Sequence, residues 1–158
     1  MSGNAPYYVL GPIPADTGAG YDHVVAAIGA ANSSRYGADL ICYITPSEHL
    51  ALPNEEDVRE GVRIVRLAVR VGDIAKYPER RENEKLAAMA RRDMRWGDLE
   101  DLLMFPEIAQ KIRQSREPAK EETCTMCGDF CAMKKGMEVF KNDIKGDKIA
   151  KIPAAKNS

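Results

Sequence analysis

A short aromatic and β-branched run, Tyr7-Tyr8-Val9-Leu10, opens the patterned part of the chain, and Gly11-Pro12 stops it. The run predicts a strand. Ile13 to Tyr21 is rich in Pro and Gly and reads as loop. Asp22 is placed to cap a helix running from His23 to about Tyr36, with Val24, Ala27, Ile28 and Ala31 at helical spacing. Ala38 to Ile44 is mostly apolar, the pattern of a strand buried on both faces. Cys42 inside it reads as a small core residue. A polar loop, Thr45 to Pro53, follows. Asn54 then caps a long helix with Val58, Val62, Val65 and Val69 on one stripe.

The order strand, helix, strand, helix is the grammar of a parallel sheet with crossover helices. Such sheets gather their chemistry on the loops that leave the C-terminal ends of the strands. Residues 11–22 and 45–53 are loops of that kind. Tyr77 to Arg95 is dense in charge and predicts a helix with Leu86 and Met89 facing inward and a solvated outer face. Trp96 is placed to anchor the turn after it, and a further short helix is expected near Pro106 to Arg113. Residues 115–122 read as a solvated linker, 123–140 as a compact metal segment, and 141–158 as a Lys-rich disordered tail. No internal repeat is visible. Two strands cannot close a barrel and make a poor sheet by themselves, so the expectation is the end of a larger fold.

Charge changes this picture by what it excludes. Lys and Arg number 23 against 24 Asp and Glu, a net charge of -1. That balance gives no reason to expect nucleic acid or an anionic membrane as partner. No stretch approaches a membrane span, and Met1-Ser2-Gly3-Asn4 is no secretory signal, so the expected location is cytoplasmic.

The candidate chemistry lies in the cysteines. Of 4 in the chain, Cys124, Cys127 and Cys131 form a Cys-x2-Cys-x3-Cys cluster, while Cys42 is far away. A tight cluster in a chain without a signal favours metal over disulfides, and a disulfide would leave one clustered thiol over. Three thiolates on a four-iron cluster leave one iron open, where a radical enzyme can hold S-adenosylmethionine. Three cysteines with one His or Asp would instead make a structural zinc site. The spacing alone weighs the two about equally.

The residues around those cysteines add a resemblance. Thr123-Cys124-Thr125-Met126-Cys127-Gly128-Asp129-Phe130-Cys131-Ala132-Met133-Lys134 resembles the C-terminal motif of the phosphomethylpyrimidine synthase family. So, in the family's order, do Leu10-Gly11-Pro12-Ile13, Gly20-Tyr21-Asp22-His23, Ala27-Ile28-Gly29-Ala30-Ala31 and the stretch Cys42-Tyr43-Ile44-Thr45-Pro46-Ser47-Glu48-His49-Leu50-Ala51-Leu52-Pro53. The likeness covers roughly residues 5 to 140. It implies an α/β fold. Residues 5–114 would be the last βα units of a (β/α)8 barrel with trailing helices, 115–122 a linker, 123–140 the cluster segment and 141–158 the tail.

The resemblance also implies an activity. The family rearranges aminoimidazole ribotide to hydroxymethylpyrimidine phosphate in thiamine biosynthesis, as a carbon–carbon lyase of the radical S-adenosylmethionine type. Cys124, Cys127 and Cys131 would hold a 4Fe-4S cluster, His49 would ligate zinc, and Tyr8 would contact the substrate. Two departures stand beside the likeness. The family usually places four residues between its last two cysteines, with a Pro after the Gly; in this chain there are three and no Pro. The family's N-terminal region, most of its barrel and its Glu-Gly-Pro-Gly-His segment have no counterpart in this chain, so a complementing N-terminal barrel half or a homo-oligomer is the expected partner.

Each site residue has an ordinary reading too. His49 sits beside Glu48 on a loop after a strand, where barrel enzymes place ligands, yet a lone His is more often a loop hydrogen-bonder. Tyr8 would ordinarily be a core strand residue. His23 would do no more than support a helix start, and Gly18-Ala19-Gly20 is a weak phosphate signal. The rivals to the leading activity are the paralogous hydroxybenzimidazole synthase, which uses the same substrate, and a non-catalytic zinc or iron–sulfur binding module.

Overall fold

The computed structural model describes residues 3–116 and 123–140. The greater part of the expected linker 115–122 and the whole expected tail 141–158 lie outside the described residues. The chain divides between Arg81 and Glu82 into two compact units.

The first unit contains two strands, β1 (Tyr8–Val9) and β2 (Leu40–Ile41), which pair in parallel with Tyr8 opposite Leu40. Between them runs α1 (Asp22–Arg35), and α2 (Glu55–Lys76) follows β2. The expected order is therefore present, with shorter strands. The expectation of a strand buried on both faces needs correction. Leu40 is 62 % exposed, Cys42 is half-buried and lies beyond β2, and the buried residues of that run are Ala38 and Ile44. Among the described residues only β1 and β2 form a sheet, so each strand has one unpaired edge.

The two helices pack chiefly on each other, and they do so through small residues. On α1 the buried positions are Asp22, Ala26, Gly29, Ala30 and Ser34. The expected face of Val24, Ala27, Ile28 and Ala31 is not the core face, because Val24 and Ile28 are 43 % and 59 % exposed. On α2 the buried residues are Gly61, Ala68 and Gly72, with Val58, Val65 and Val69 half-buried beside them and Val62 at the exposed margin. A side chain at Gly72 would collide with Ser34, and one at Gly61 with the carbonyl of Ile44. Close backbone approach, not bulky interdigitation, sets this interface, and hydrophobic spacing does not report it.

Helix ends follow their caps. Asn54 accepts a hydrogen bond from the Asp57 N–H at 3.0 Å, and Asp57 accepts from the Asn54 N–H at 3.1 Å. This reciprocal capping box satisfies two otherwise orphaned donors and starts α2 as expected. At α1 the cap expectation is corrected. Tyr21 is the N-cap, without a side-chain bond, and Asp22 is the first helical residue.

Charge-rich α3 (Pro78–Arg92) leads into the second unit, where α4 (Trp96–Glu100), α5 (Pro106–Gln114) and α6 (Ala132–Val139) follow. Leu86 and Met89 are half-buried on α3, and Ala90 is fully buried. Trp96 opens α4, with the Arg113 guanidinium 4.4 Å above its ring. Among the described residues no helix is long and apolar enough to cross a membrane.

Candidate functional site

Two groups of side chains carry the candidate chemistry, Tyr8 and His49 in the first unit and the three clustered cysteines in the second.

Tyr8 is half in solvent, 52 % exposed, so it is not the core strand residue of the ordinary reading. Its β1 register puts it opposite Leu40, and Cys42 lies two residues on, on the same side of the pleat. The Tyr8 phenol is held above its ordinary pKa, first by a side-chain hydrogen bond with Cys42, then by desolvation and the Cys42 charge. Cys42 thus meets Tyr8 rather than filling a core.

The loop after β2 is fixed by its own hydrogen bonds. The Glu48 carboxylate accepts from the Thr45 N–H at 3.3 Å and from the Thr45 hydroxyl at 3.2 Å. The Ser47 hydroxyl donates to Asp57 Oδ2 at 3.0 Å, tying the loop to the α2 capping box. On this framework His49 adopts the left-handed region, φ 60°. Its side chain is 72 % exposed, while Asp22, with Oδ2 3.8 Å from His49 Nδ1, is 7 % exposed. Asp22 is the residue that sequence reasoning missed. Its signal was the Gly20-Tyr21-Asp22-His23 stretch, which reads by itself as a helix cap alone.

The cysteine segment is a run of tight turns. The Gly128 N–H donates to the Cys124 carbonyl at 3.1 Å, the Phe130 N–H to Cys127 at 3.0 Å and the Cys131 N–H to Gly128 at 3.3 Å. Gly128 takes φ 52°, where a side chain would strain the turn. Cys131 precedes α6 directly. Cys124 and Cys131 are half-buried and Cys127 is exposed, and all four cysteines of the chain are free thiols.

Backbone N–H groups of Met126 and Cys127 point at the Cys124 sulfur and hold its pKa below the ordinary thiol value, with a smaller contribution from the Arg113 charge. Donors aimed at a cysteine sulfur favour the thiolate, the form that ligates metal. Among the described residues no three His, Cys, Asp or Glu side chains stand close enough to share one metal ion. A four-iron cluster does not require that, since its cysteines ligate different irons. The donor set and the amides around Cys124 fit thiolate ligation of an iron–sulfur cluster.

Beside Cys124 opens a cleft of about 360 Å³, walled by Trp96, Leu99, Leu103 and Ile112 and carrying Arg113. Neither Trp96 nor Arg113 stands out as a site residue in the sequence, because nothing in their spacing links α4 and α5 to a cysteine more than ten positions away.

The Radical SAM ThiC family matches residues 1–138. The chain belongs to that family.

Individual relatives refine the comparison. A protein of Desulforapulum autotrophicum named 5-hydroxybenzimidazole synthase is 77 % identical over 150 residues, covering 95 % of this chain and 34 % of that protein. One of the same name from Geobacter metallireducens is 61 % identical, over 94 % of this chain and 34 % of its own length. Phosphomethylpyrimidine synthase 1 of Methanosarcina barkeri is 52 % identical over 135 residues, 85 % of this chain and 32 % of that protein. The chain thus spans about a third of the length of the curated relatives it matches.

Proposed function

We propose that this chain is the C-terminal part of a radical S-adenosylmethionine enzyme that rearranges aminoimidazole ribotide to 5-hydroxybenzimidazole. The observation that carries the choice of product is the gradient among relatives: 77 % and 61 % to proteins named for that product, against 52 % to one named for the pyrimidine. This reverses the order of the two products expected from the motifs.

In this reading Cys124, Cys127 and Cys131 hold a 4Fe-4S cluster with one open iron. The cluster supplies, when bound, the electron that cleaves S-adenosylmethionine. The chain's own residues do the rest of what falls to it. Backbone amides at Cys124 keep its sulfur ready as thiolate. Tyr8 offers a hydroxyl, poised by Cys42, to the substrate. The rigid loop after β2 presents the exposed His49 ring to zinc, with a second imidazole from the N-terminal part of the enzyme. The parallel β1–α1–β2 unit supports the end of a (β/α)8 barrel, whose further strands would pair with the free edges of β1 and β2.

The test is product analysis. This chain, joined to the N-terminal part of a 5-hydroxybenzimidazole synthase, is reconstituted anaerobically and given aminoimidazole ribotide, S-adenosylmethionine and a reductant. 5-Hydroxybenzimidazole is the expected product. Hydroxymethylpyrimidine phosphate would establish the second reading, which the 52 % identity to a phosphomethylpyrimidine synthase supports. One zinc and no iron per chain would reduce it to a metal-binding module.

A further inference from the structure

We propose that Arg113, pinned by Trp96, is a positioning residue that fixes a positive charge beside the Cys124 corner of the iron–sulfur cluster and makes the cluster easier to reduce. The proposal rests on the cluster reading above. Arg113 lies in the last turn of α5, and Trp96 opens α4. The guanidinium sits 4.4 Å from the centre of the indole ring, within the range of a cation–π contact, and Trp is the best aromatic partner for one. A flat guanidinium stacks there as a Lys ammonium cannot. Trp96, Arg113 and Cys124 line one cleft. Its other walls include Leu99, which is buried, Leu103 and Ile112.

Three consequences follow from that placement. The stacking contact restricts a long side chain that would otherwise sample many rotamers, so the charge has a fixed address. Apolar walls screen it less than bulk water does. Reduction adds one electron to the cluster, so a fixed cation stabilises the reduced form more than the oxidised form and raises the potential; charge and solvent exposure are the levers that set such potentials. Glu100 lines the same cleft and opposes this effect, but its carboxylate accepts a hydrogen bond from Gln110 Nε2 at 3.1 Å. Arg116 lines it as well and adds to the positive side.

The experiment takes this chain joined to the N-terminal part of a 5-hydroxybenzimidazole synthase and reconstitutes it anaerobically with iron and sulfide. It measures iron and sulfide per chain, helix content, and the reduction midpoint by a titration followed through the paramagnetic signal of the reduced cluster. R113Q is expected to load iron and to show a lower midpoint than the unsubstituted chain. R113K should recover part of the shift, because it restores charge without the stack. W96L should move the midpoint in the same direction as R113Q, because the guanidinium is released. R59Q, on α2, should leave it unchanged. An unchanged midpoint in fully loaded R113Q overturns the proposal, and so does an equal shift in R59Q. Loss of iron from R113Q alone, with R113K loaded, still supports a role for charge at this corner. Loss from R113Q, R113K and W96L together, at unchanged helix content, overturns it in favour of a packing role. If the unsubstituted chain takes up no iron, the cluster reading fails, an outcome distinct from all of these.

Discussion

Nδ1 of His49 lies 3.8 Å from Oδ2 of Asp22, an exposed imidazole against a buried carboxylate. The two residues come from different parts of the first unit, Asp22 from the start of α1 and His49 from the loop after β2. The separation is too long for a hydrogen bond and short enough for one to form with a small ring rotation. A metal-ligating His commonly donates its second ring N–H to a carboxylate, which fixes the tautomer and the ring. With His49 as the proposed zinc ligand, Asp22 is suited to that part, which would leave Nε2 for the metal.

A measurable loss follows. In this chain joined to the N-terminal part of a 5-hydroxybenzimidazole synthase, His49→Ala should abolish zinc at this site. Asp22→Ala should weaken it about tenfold to a hundredfold, the range for outer partners of metal ligands. Competition with a chromogenic chelator measures both. The isolated chain with the three clustered cysteines changed to Ser should bind zinc weakly, since one imidazole is a poor site. Tight stoichiometric binding by that variant would mean that His49 does not depend on a second imidazole from the rest of the enzyme.

The cysteines make the second prediction. Cys124→Ser, Cys127→Ser and Cys131→Ser should each abolish or strongly reduce reconstituted iron, read as iron per chain and visible absorbance. Cys42→Ala should load normally, because Cys42 lies outside the motif and its side chain meets Tyr8. Equal loss in Cys42→Ala would show that the cluster draws a ligand from outside the motif.

Cys124 also predicts a pH dependence. Its pKa is lowered chiefly by the Met126 and Cys127 amides. In the native metal-free chain its alkylation rate should therefore inflect below the ordinary thiol value, and the inflection should rise towards that value in denaturant. The sign for stability follows. The thiolate form is favoured in the folded state, so this group's contribution is fully present above its ordinary pKa. It is lost as the pH falls through the lowered native value. An inflection that denaturant leaves in place would show that the turn around Cys124 does not act on its sulfur.

Much of this was legible in the sequence, and the failures have a common cause. Asn54 could be read as a cap because its partner Asp57 is local, and the short helix expected near Pro106 to Arg113 runs over Pro106–Gln114. The cysteine motif carried the family. What stayed hidden depends on partners distant in the chain. The core face of α1 runs through Ala26, Gly29, Ala30 and Ser34, and small residues give a weak periodic signal beside the louder Val24 and Ile28. Asp22 looks like a cap until His49 is brought beside it.

That small-residue interface can be tested directly. Gly72→Ala removes a helical glycine, which by propensity alone would stabilise by about 1 kcal/mol. Its Cβ would meet Oγ and Cβ of Ser34 and, at 2.9 Å, the Arg35 backbone N, which cannot swing away. Overpacking of this kind costs about 1 to 3 kcal/mol, so the clash should win and denaturant should unfold the variant at lower concentration. Ser34→Gly in the same background should recover part of the loss. A more stable Gly72→Ala would show that α1 and α2 separate more easily than their packing implies.

The last prediction concerns what the chain does alone. Radical cleavage of S-adenosylmethionine needs the cluster, but directing the radical needs a closed, dry site around aminoimidazole ribotide. Among the described residues the sheet has two strands, and the apolar side chains along it are open to solvent: Tyr8 52 %, Leu10 71 %, Leu40 62 % and Tyr43 37 % exposed. The unpaired edges and this apolar surface should make the isolated chain self-associate, or take up the N-terminal part of the enzyme when it is supplied. The chain alone, loaded with iron, should therefore give no benzimidazole or pyrimidine product. Given a strong one-electron reductant, it should still cleave some S-adenosylmethionine to methionine and a 5′-deoxyadenosyl radical that takes a hydrogen atom from the buffer to give 5′-deoxyadenosine, because the proposed open iron needs no substrate site. Adding the N-terminal part as a separate polypeptide should restore product and move the chain from aggregate to a defined complex in sedimentation. Product from the chain by itself would mean that Tyr8, His49 and the cysteine segment suffice to enclose the substrate, and the barrel reading would fall.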